Sequence, residues 1–488
     1  MKVATAEPTP ALLAPPVLPR RREPSPAVRA GYPPTRVHVL LVTAALFAGQ
    51  ASAQQPTAPT PYQRAIAAGY KALTLCSGIF EAGRTQEQVE ALELRGIYPE
   101  YDTIVRGLGV HIDQGSHGVS VGFDPDLPAR RADHRPTVGC VLRPIGAADD
   151  AIVPYHGPLT QQQPSADPRP WPMGDKGIAP RSSPALTTKI DAAFDQATYG
   201  PGSQTIGVVV LRDGKVVGER YRDGFGPFTA NRTWSVAKSI AGTLVGIERA
   251  DVTKPVAIEH WSRDAGDPRS AIKLDDLLRM ASGLHGDTAG NRTDAVYFGG
   301  TAVEESVTAL SLEAVPGTRF RYANNDILLA VLSLRKPGPL GVVLRAGLPD
   351  RLFTPLGMEH TVAETDWRGD YILSSQVWST GRDLARLGQF WLQDGVWQGK
   401  RILPEGWMRY MTTPSGPQPT TGPGYGATLW LFGPKQGLPA GSYAAQGNRG
   451  QYVMVIPSER LVIVRRGEDP GPARFDIARF AADVIAAR

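Results

Sequence analysis

The 488-residue sequence contains only two cysteines and eight histidines. It has no His-Glu-x-x-His and no Cys-x-x-Cys spacing, so two common zinc signatures are absent and we expect no metal site. Apart from Arg130-Arg131, no basic cluster indicates a path for phosphates, so we expect no nucleic-acid partner. No internal repeat is apparent, and nothing in the composition predicts a cofactor or an oligomeric state.

Long apolar runs are also scarce. The run Val37–Ala48 is too short to span a bilayer comfortably as a helix. It follows Arg36 and precedes Ala51-Ser52-Ala53, a small-residue cleavage pattern. We interpret residues 1–53 as a leader with a secretory signal that is cut after Ala53, which predicts a periplasmic or secreted protein without a stable membrane span. Retention as an N-terminal membrane anchor is the alternative.

The leader also accounts for most of the net charge. It holds six basic and two acidic residues, so the formal charge of +5 falls to about +1 in the remaining chain. The calculated pI of 9.1 is therefore weak evidence for binding to polyanions.

Both cysteines, Cys76 and Cys140, lie in residues 54–153. In an oxidising compartment an even pair predicts one disulfide, and two buried thiols are the alternative. The periodicity predicts a helix over 61–75 and strands over 110–123 and 137–142, a small mixed α/β segment.

A Gly-x-Ser-x-Gly pattern occurs at Gly118–Gly122. The nucleophile elbow with this pattern requires a strand, a sharp turn and a helix. Two prolines follow within Phe123–Pro128, and they exclude a regular helix. We therefore interpret the pattern as part of a strand.

Residues 154–184 are rich in Pro, Gln, Ser and Gly, which is typical of an extended connector. A domain over 185–488 then opens with a helix and a hairpin that turns at Asp213-Gly214, and it closes with strands over 452–456 and 461–465 and a helix near 473–487. This order predicts an α+β fold with one antiparallel sheet built from both ends of the domain.

Ser235 and Lys238 lie one helical turn apart where a loop gives way to an apolar helix. Side chains at i and i+3 share one helix face, so the lysine amine is placed to take the serine proton. The positive end of the helix dipole and free backbone N–H groups would surround the nucleophile. The spacing predicts a serine hydrolase without a catalytic histidine.

Ser333 and Lys336 have the same spacing. They end an apolar helical run and precede Pro337-Gly338, which stop helices. Ser333 would face the negative end of the helix dipole, where an attacking alkoxide is disfavoured. We interpret this second motif as a helix end.

Tyr322 and Asn324 lie between the Pro316-Gly317 turn and a helical run that starts near Asp326. A tyrosine phenol can relay a proton if nearby cations lower its pKa, and an asparagine amide can orient a lysine or a substrate carbonyl. A half-buried tyrosine followed by a capping asparagine is the alternative.

Further segments accompany these motifs in the same order as in a known family: 277–284, 355–358, 379–386, 394–397 and 403–407. With them, the chain from about residue 186 onward resembles the class C β-lactamase-like serine hydrolases. This superfamily of penicillin-recognising enzymes includes esterases, D-amino-peptidases and nylon-oligomer amide hydrolases. The resemblance implies a sheet covered by terminal helices, an all-helical subdomain and an active site between them.

The resemblance also implies roles for individual residues. Ser235 would be acylated after Lys238 deprotonates it, Tyr322 would share the base role and protonate the leaving group, and Asn324 would orient the reacting groups. The backbone N–H of Ser235 would form half of an oxyanion hole. Its partner is expected from a strand near Gly450 or Gln451.

The family's third motif is missing. Family members present a lysine or histidine on the strand that edges the site, whereas this chain has Gln446–Gly450 there, without either residue. Arg449 is a candidate replacement for binding a carboxylate, and an exposed hairpin arginine is the alternative. The loss of that cation favours an esterase or amidase acting on a small-molecule ester or amide. A β-lactamase, or a penicillin-recognising binding protein that does not hydrolyse its ligand, remains the alternative.

Between Leu284 and Glu304 the sequence is rich in glycine and contains an asparagine. This composition indicates either a mobile lid that carries Tyr297 over the substrate or an ordinary surface loop.

Overall fold

The computed structural model describes residues 58–148, 166–178, 180, 182–286, 293–335 and 347–487. The predicted leader and its cleavage site lie outside these residues, as does most of the proline-rich connector. Residues from Ala58 onward belong to one compact unit. Within the described ranges, no helix has both the length and the apolar character needed to cross a membrane.

The N-terminal segment begins with helix α1, Pro61–Cys76, which Thr60 caps through a reciprocal hydrogen-bond pair with Gln63. Two short helices follow, and four strands then form an antiparallel sheet in the order β1-β2-β3-β4. Their bounds are α2 Gln86–Leu92, α3 Pro99–Gly107, β1 Val110–Asp113, β2 Gly118–Val121, β3 Arg130–Arg135 and β4 Gly139–Leu142.

Two expectations for this segment are resolved. Cys76 at the end of α1 forms a disulfide with Cys140 in β4, with their Cα atoms 6.0 Å apart, so the alternative of two buried thiols is wrong. The single strand expected over 110–123 is a hairpin, because the Asp113 carboxylate accepts hydrogen bonds from the backbone N–H groups of Gly115 and Ser116 and turns the chain. The Gly-x-Ser-x-Gly pattern lies in β2, a strand, as expected.

A seven-stranded antiparallel sheet in the order β12-β13-β14-β15-β16-β5-β6 forms the centre of the larger part. Strands β5 and β16 pair along their length, for example Val209 opposite Val464, so the two ends of the domain meet in one sheet as predicted. The hairpin turns at Asp213 and Gly214, both with positive φ. The strand bounds are β5 Thr205–Arg212, β6 Lys215–Tyr221, β12 Gly424–Tyr425, β13 Trp430–Phe432, β14 Ser442–Gly447, β15 Gln451–Ile456 and β16 Leu461–Gly467.

One face of this sheet packs against the terminal helices, and the other faces the long helical insert. The predicted α+β architecture is confirmed. The insert also carries small strands, so it is not purely helical. One sheet contains β7 Asn231–Arg232, β8 Val362–Ala363 and β9 Val377–Ser379, and a hairpin pairs β10 Val396–Trp397 with β11 Lys400–Arg401. The helices are α4 Pro184–Ala192, α5 Val236–Ile247, α6 Glu259–Ser262, α7 Leu274–Leu278, α8 Asp294–Tyr297, α9 Val303–Val307, α10 Asn324–Leu332, α11 Asp350–Leu356, α12 Gly381–Leu392, α13 Trp407–Met411 and α14 Ile477–Ala486.

The two parts share a core. One continuous cluster of buried apolar side chains contains α1 residues such as Ile66 and Leu73 together with Val236 and Ile240 of α5. The boundaries predicted at 153 and 185 stay a prediction, but the segment before them packs directly on the larger part.

Candidate active site

Ser235 lies at the turn where β7 leads into helix α5. The backbone N–H of Thr233 donates to Val377 O at 2.8 Å, which fixes β7 against β9. Trp234 then adopts a left-handed conformation with φ 50°, which is uncommon for a bulky residue, and the chain enters the helix. Ser235 is half-buried, and its own N–H donates to none of the described residues, so this N–H is available to a substrate oxygen.

Lys238 lies one turn into α5 with only 1 % of its surface exposed. Its Nζ makes three hydrogen bonds: 3.0 Å to Ser235 Oγ, 2.6 Å to Asn324 Oδ1 and 2.8 Å to the carbonyl of Ser374. It forms no ion pair with any described carboxylate. The predicted Ser235–Lys238 contact is therefore present in the structure.

The chemistry of these three partners favours an uncharged amine. The carbonyl of Ser374 and the oriented Oδ1 of Asn324 only accept, so they occupy two N–H bonds of Lys238. The third hydrogen-bond direction of Lys238 Nζ faces the Ser235 hydroxyl, which can donate its proton to the lone pair on Nζ. An amine held in this way has its lone pair directed at the proton that a nucleophilic Ser235 must lose.

The electrostatic surroundings of Lys238 also favour an uncharged amine. Burial, with a smaller contribution from the nearby Arg232 guanidinium, lowers the pKa of Lys238 from 10.5 to about 7. At neutral pH a substantial fraction of the amine is therefore uncharged and able to act as a base.

Tyr322 precedes helix α10, and Asn324 is the first residue of that helix. Tyr322 lies beside Ser235 in the cavity wall, and the centre of its ring lies 5.0 Å from Lys238 Nζ. Asn324 is buried, and its Nδ2 donates to Thr293 Oγ1 at 3.4 Å, which turns Oδ1 toward the lysine. The two motifs recognised in the sequence thus meet at one point.

The sequence suggested that Tyr322 relays a proton if nearby cations lower its pKa. In the structure burial raises the pKa well above the usual value of 10, and the neighbouring Ser235 only partly offsets this. Tyr322 is therefore a neutral phenol at physiological pH and suits the role of a proton donor better than that of a base.

A cavity of about 700 Å³ opens over Ser235. The nucleophile, Tyr322 and Asn324 lie in its wall beside Trp234 and Trp430. Its charged lining residues are Glu100, Asp294, Arg449, Asp469 and Arg474. A volume of this size is in the range of small-molecule sites.

Arg449 is not the exposed hairpin residue that one alternative described. It is only 6 % exposed, and its guanidinium is paired with Glu93 and Glu468 and donates to the carbonyl oxygens of Glu468 and Asp469. Each nitrogen of the guanidinium already has an acceptor, so the structure gives no support to the other alternative, in which Arg449 binds a substrate carboxylate.

The oxyanion-hole partner near Gly450 or Gln451 stays a prediction. Gly450 lines the cavity, and the side-chain amide of Gln451 is buried in hydrogen bonds to the carbonyl oxygens of Arg449 and Gly467. The backbone of Gly447 also lies close to the nucleophile, since an added Cβ there would stand 3.1 Å from Ser235 N and 2.3 Å from Thr233 O. Glycine is required there by this close approach.

Tyr297 does not lie on an exposed loop. It ends the short helix α8, is 4 % exposed, and its hydroxyl is hydrogen-bonded to Ser374 Oγ at 2.6 Å. It lines the cavity, and the role of its stretch as a lid stays a prediction. Residues 287–292 of the proposed lid lie outside the described residues.

Several site residues were missed from the sequence. Ser374 supplies an acceptor to Lys238 and a partner to Tyr297, and Arg232 lies close enough to lower the lysine pKa. The cavity wall also includes Tyr98 and Pro99 of the N-terminal segment. Neither a Ser-Ser pair nor an isolated tyrosine has a sequence signal, so only the folded arrangement identifies them.

Comparison with known proteins agrees with this geometry. The family model described as Beta-lactamase matches residues 190–488. The chain is 28 % identical over 296 residues to a 6-aminohexanoate-dimer hydrolase from Paenarthrobacter ureafaciens, an alignment that covers 54 % of this chain and 72 % of that protein.

Solved structures are similar as well. A putative 6-aminohexanoate-dimer hydrolase from Bacillus anthracis is 21 % identical with a TM-score of 0.49, covering 61 % of this chain and 80 % of its own. A class C beta-lactamase in complex with cefoxitin is 13 % identical with a TM-score of 0.47, covering 62 % of this chain and 98 % of its own.

Proposed function

Since the chain belongs to the beta-lactamase family of hydrolases, we propose that it hydrolyses amide or ester bonds of small molecules through an acyl-enzyme on Ser235. The observation that carries this proposal is the 3.0 Å contact between Ser235 Oγ and a buried Lys238 Nζ whose pKa is lowered to about 7. A linear amide is the preferred substrate class, because the curated relative at 28 % identity is named for the hydrolysis of an aminohexanoate dimer.

In the acylation step, Ser235 Oγ attacks the carbonyl carbon and its proton moves to Lys238 Nζ. The carbonyl oxygen becomes an oxyanion that accepts a hydrogen bond from the Ser235 N–H. A second donor would come from the peptide that follows Gly447, the N–H of Asn448, since this turn lies against the nucleophile.

Collapse of the tetrahedral intermediate breaks the bond to the leaving nitrogen or oxygen. Tyr322, a neutral phenol that lies beside Ser235 in the cavity wall, gives its proton to the leaving group. The Lys238 ammonium then returns the serine proton to the phenolate, whose raised pKa favours this transfer. Deacylation repeats the sequence with water as the nucleophile and Ser235 Oγ as the leaving group.

The cavity suits an elongated substrate with polar ends. Aromatic walls from Trp234 and Trp430 accompany charges of both signs, Glu100 and Asp294 on one hand and Arg474 on the other. In contrast, the turn at the third-motif position has no lysine or histidine, and the Arg449 guanidinium there is already paired with Glu93 and Glu468. The geometry therefore favours amide or ester hydrolysis over β-lactam hydrolysis, and the intact Ser235–Lys238–Tyr322 arrangement speaks against a purely binding role.

The proposal is tested with Ser235→Ala and the matched control Ser333→Ala, which alters the second Ser-x-x-Lys pattern at the end of α10. Hydrolysis of the linear dimer of 6-aminohexanoate, p-nitrophenyl butyrate and nitrocefin is measured for each variant. We expect Ser235→Ala to abolish turnover and Ser333→Ala to retain it. Undiminished turnover by Ser235→Ala would exclude this serine, and a strong preference for nitrocefin would establish a β-lactamase instead.

We also propose that the protein is exported. The Cys76–Cys140 disulfide supports an oxidising compartment, and Ala51-Ser52-Ala53 supplies a cleavage pattern behind an apolar run. Mass spectrometry of the N-terminal peptide from an exporting host tests this proposal. A chain that begins at Gln54 supports it, and an intact leader in the membrane fraction favours the anchored alternative.

A further inference from the structure

The guanidinium of Arg449 joins two parts of the chain that are distant in sequence. Arg449 lies in the turn between β14 and β15, and its Nη1 is 3.2 Å from Glu93 Oε2. Glu93 immediately follows α2 in the N-terminal segment, which lies outside the residues that match the family model. A residue from this additional segment therefore holds the turn beside the nucleophile.

This contact is buried and charged. Glu93 is 2 % exposed, and its Oε1 accepts a hydrogen bond of 2.8 Å from Arg84. Burial opposes ionisation of Glu93, but Arg84 and Arg449 together lower its pKa, so the carboxylate is charged at neutral pH. A charge pair excluded from water depends on its partner, since water cannot replace the contact.

The turn itself depends on such support. Arg449 has φ 58° and ψ 26°, a left-handed conformation that few non-glycine residues adopt without compensating contacts. Two residues earlier, Gly447 lies against the backbone N of Ser235. Any movement of the turn therefore changes the space above the nucleophile.

The same segment also packs near Trp234, the residue before the nucleophile. The ring of Tyr98 lies 6.5 Å from that of Trp234 and 5.2 Å from that of Phe298. Tyr98 also lines the cavity. The N-terminal segment thus contacts both the nucleophile turn and the turn that faces it.

From this arrangement we infer that Glu93 is a positioning residue, which acts through Arg449 to hold the turn 447–450 at the distance from Ser235 that oxyanion binding requires. Glu93 itself touches no substrate. The N-terminal segment is thereby a component of the active site, and this inference rests on the acyl-transfer function proposed above.

The expected kinetic signature follows from that role. An oxyanion donor stabilises the transition state more than the bound substrate, so its displacement lowers kcat and leaves KM nearly unchanged. Loss of one well-placed donor lowers kcat by about 100-fold to 1,000-fold, so partial displacement of the turn is expected to lower it by roughly 10-fold to 100-fold.

The test compares Glu93→Gln with the control Asp133→Asn. Asp133 is also a buried carboxylate of the N-terminal segment that pairs with two arginines, Arg131 and Arg143, but both partners belong to the segment itself. Gly447→Ala serves as a reference for a displaced turn. For each variant we measure kcat and KM on p-nitrophenyl butyrate, the affinity for phenylboronic acid as a tetrahedral analogue, and hydrogen exchange of the peptide 446–452.

We expect Glu93→Gln to resemble Gly447→Ala, with lower kcat, weaker boronate binding and faster exchange in 446–452, whereas Asp133→Asn changes none of these beyond about twofold. Glu93→Gln added to Arg449→Gln should lower kcat no further, because Glu93 acts on the turn only through its contact with Arg449. Wild-type kcat in Glu93→Gln, or an equal loss in Asp133→Asn, would overturn the inference.

Failure of the proposed function gives a different result. In that case the wild-type protein shows no turnover that depends on Ser235, and the exchange measurement alone decides the inference. Faster exchange in 446–452 confined to Glu93→Gln and Gly447→Ala supports it, and unchanged exchange in Glu93→Gln contradicts it.

Discussion

Arg232 lies close enough to Lys238 for its charge to oppose protonation of the lysine amine. Its guanidinium packs over the Trp234 ring at 3.8 Å and donates to Ser375 Oγ at 2.7 Å, so it is fixed on the strand that leads to the nucleophile. Two cations buried together are unfavourable, and the lysine is the one that can give up its proton. The arrangement keeps the base of the proposed mechanism uncharged near neutral pH.

The first prediction concerns the pH profile. Because the pKa of Lys238 is lowered to about 7 and only the uncharged amine acts as a base, kcat/KM should rise with pH and level off above an apparent pKa near 7. Arg232→Gln removes the charge that opposes protonation of Lys238, so the rising limb of the kcat/KM profile should move to higher pH. The exposed Arg220→Gln, which breaks a surface pair with Asp191, is the control and should leave the limb in place. A limb unchanged in Arg232→Gln would contradict the electrostatic argument.

The second prediction concerns Asn324, whose Oδ1 accepts from Lys238 at 2.6 Å. Asn324→Asp places a carboxylate beside the amine, which stabilises the ammonium and raises its pKa. Activity at pH 7 should fall by about tenfold for each unit of that rise and should return in part at alkaline pH.

Asn324→Ala provides the comparison for this effect. It removes the acceptor without adding a charge, so its loss of activity should not recover as the pH rises. Similar pH profiles for the two variants, measured as kcat/KM between pH 6 and 10, would argue against a neutral Lys238.

The sequence predicted the parts of the site that depend on local order. Ser235 and Lys238 lie on the same face because a helix repeats every three to four residues, and the Tyr322–Asn324 motif precedes a helix that the apolar pattern had already indicated. The antiparallel sheet followed from the strand patterns at both ends of the domain and from the Asp213-Gly214 turn of the first hairpin. Each of these features is recorded in a few consecutive residues.

The sequence did not predict features that depend on long-range packing. Arg449 was expected either to bind a substrate carboxylate or to lie in solvent, and the second alternative is wrong because its partners, Glu93 and Glu468, come from other parts of the chain and bury it. Tyr297 lies in a glycine-rich stretch that resembles a loop, yet it is buried against Ser374. The pairing of distant charges has no local signature.

The third prediction concerns the disulfide. Cys76 and Cys140 close a loop with a sequence separation of 64 residues, and loss of such a crosslink typically costs about 2–4 kcal/mol of unfolding free energy. Replacing both residues by serine should lower Tm and weaken resistance to urea. Reductant should destabilise the wild-type protein similarly and leave the double variant unaffected. Because the crosslinked segment also forms the cavity wall at Tyr98, activity should decline at a lower temperature in the variant.

The last prediction concerns Glu364, which is buried between the two parts of the chain. Its Oε1 accepts hydrogen bonds from Ser77 Oγ and the Cys140 N–H, and Oε2 has no partner among the described residues. Burial, with a smaller contribution from Glu81, raises the pKa of Glu364 from 4.5 to about 8. The folded protein therefore keeps a proton that the unfolded chain releases near pH 4.5.

Because the pKa of Glu364 is higher in the folded than in the unfolded chain, its contribution to the unfolding free energy falls as the pH rises. The stabilising contribution of Glu364 is complete below pH 4.5 and is lost at up to about 1.4 kcal/mol per pH unit as the pH rises toward 8. Glu364→Gln keeps a neutral side chain of the same shape, so its unfolding free energy should fall less steeply over this interval. Urea unfolding at several pH values from 5 to 8 measures both slopes. Parallel curves of unfolding free energy against pH would mean that Glu364 does not hold its proton in the folded state. We expect the wild-type curve to be steeper, because a buried carboxylate with one unpaired oxygen is costly to ionise.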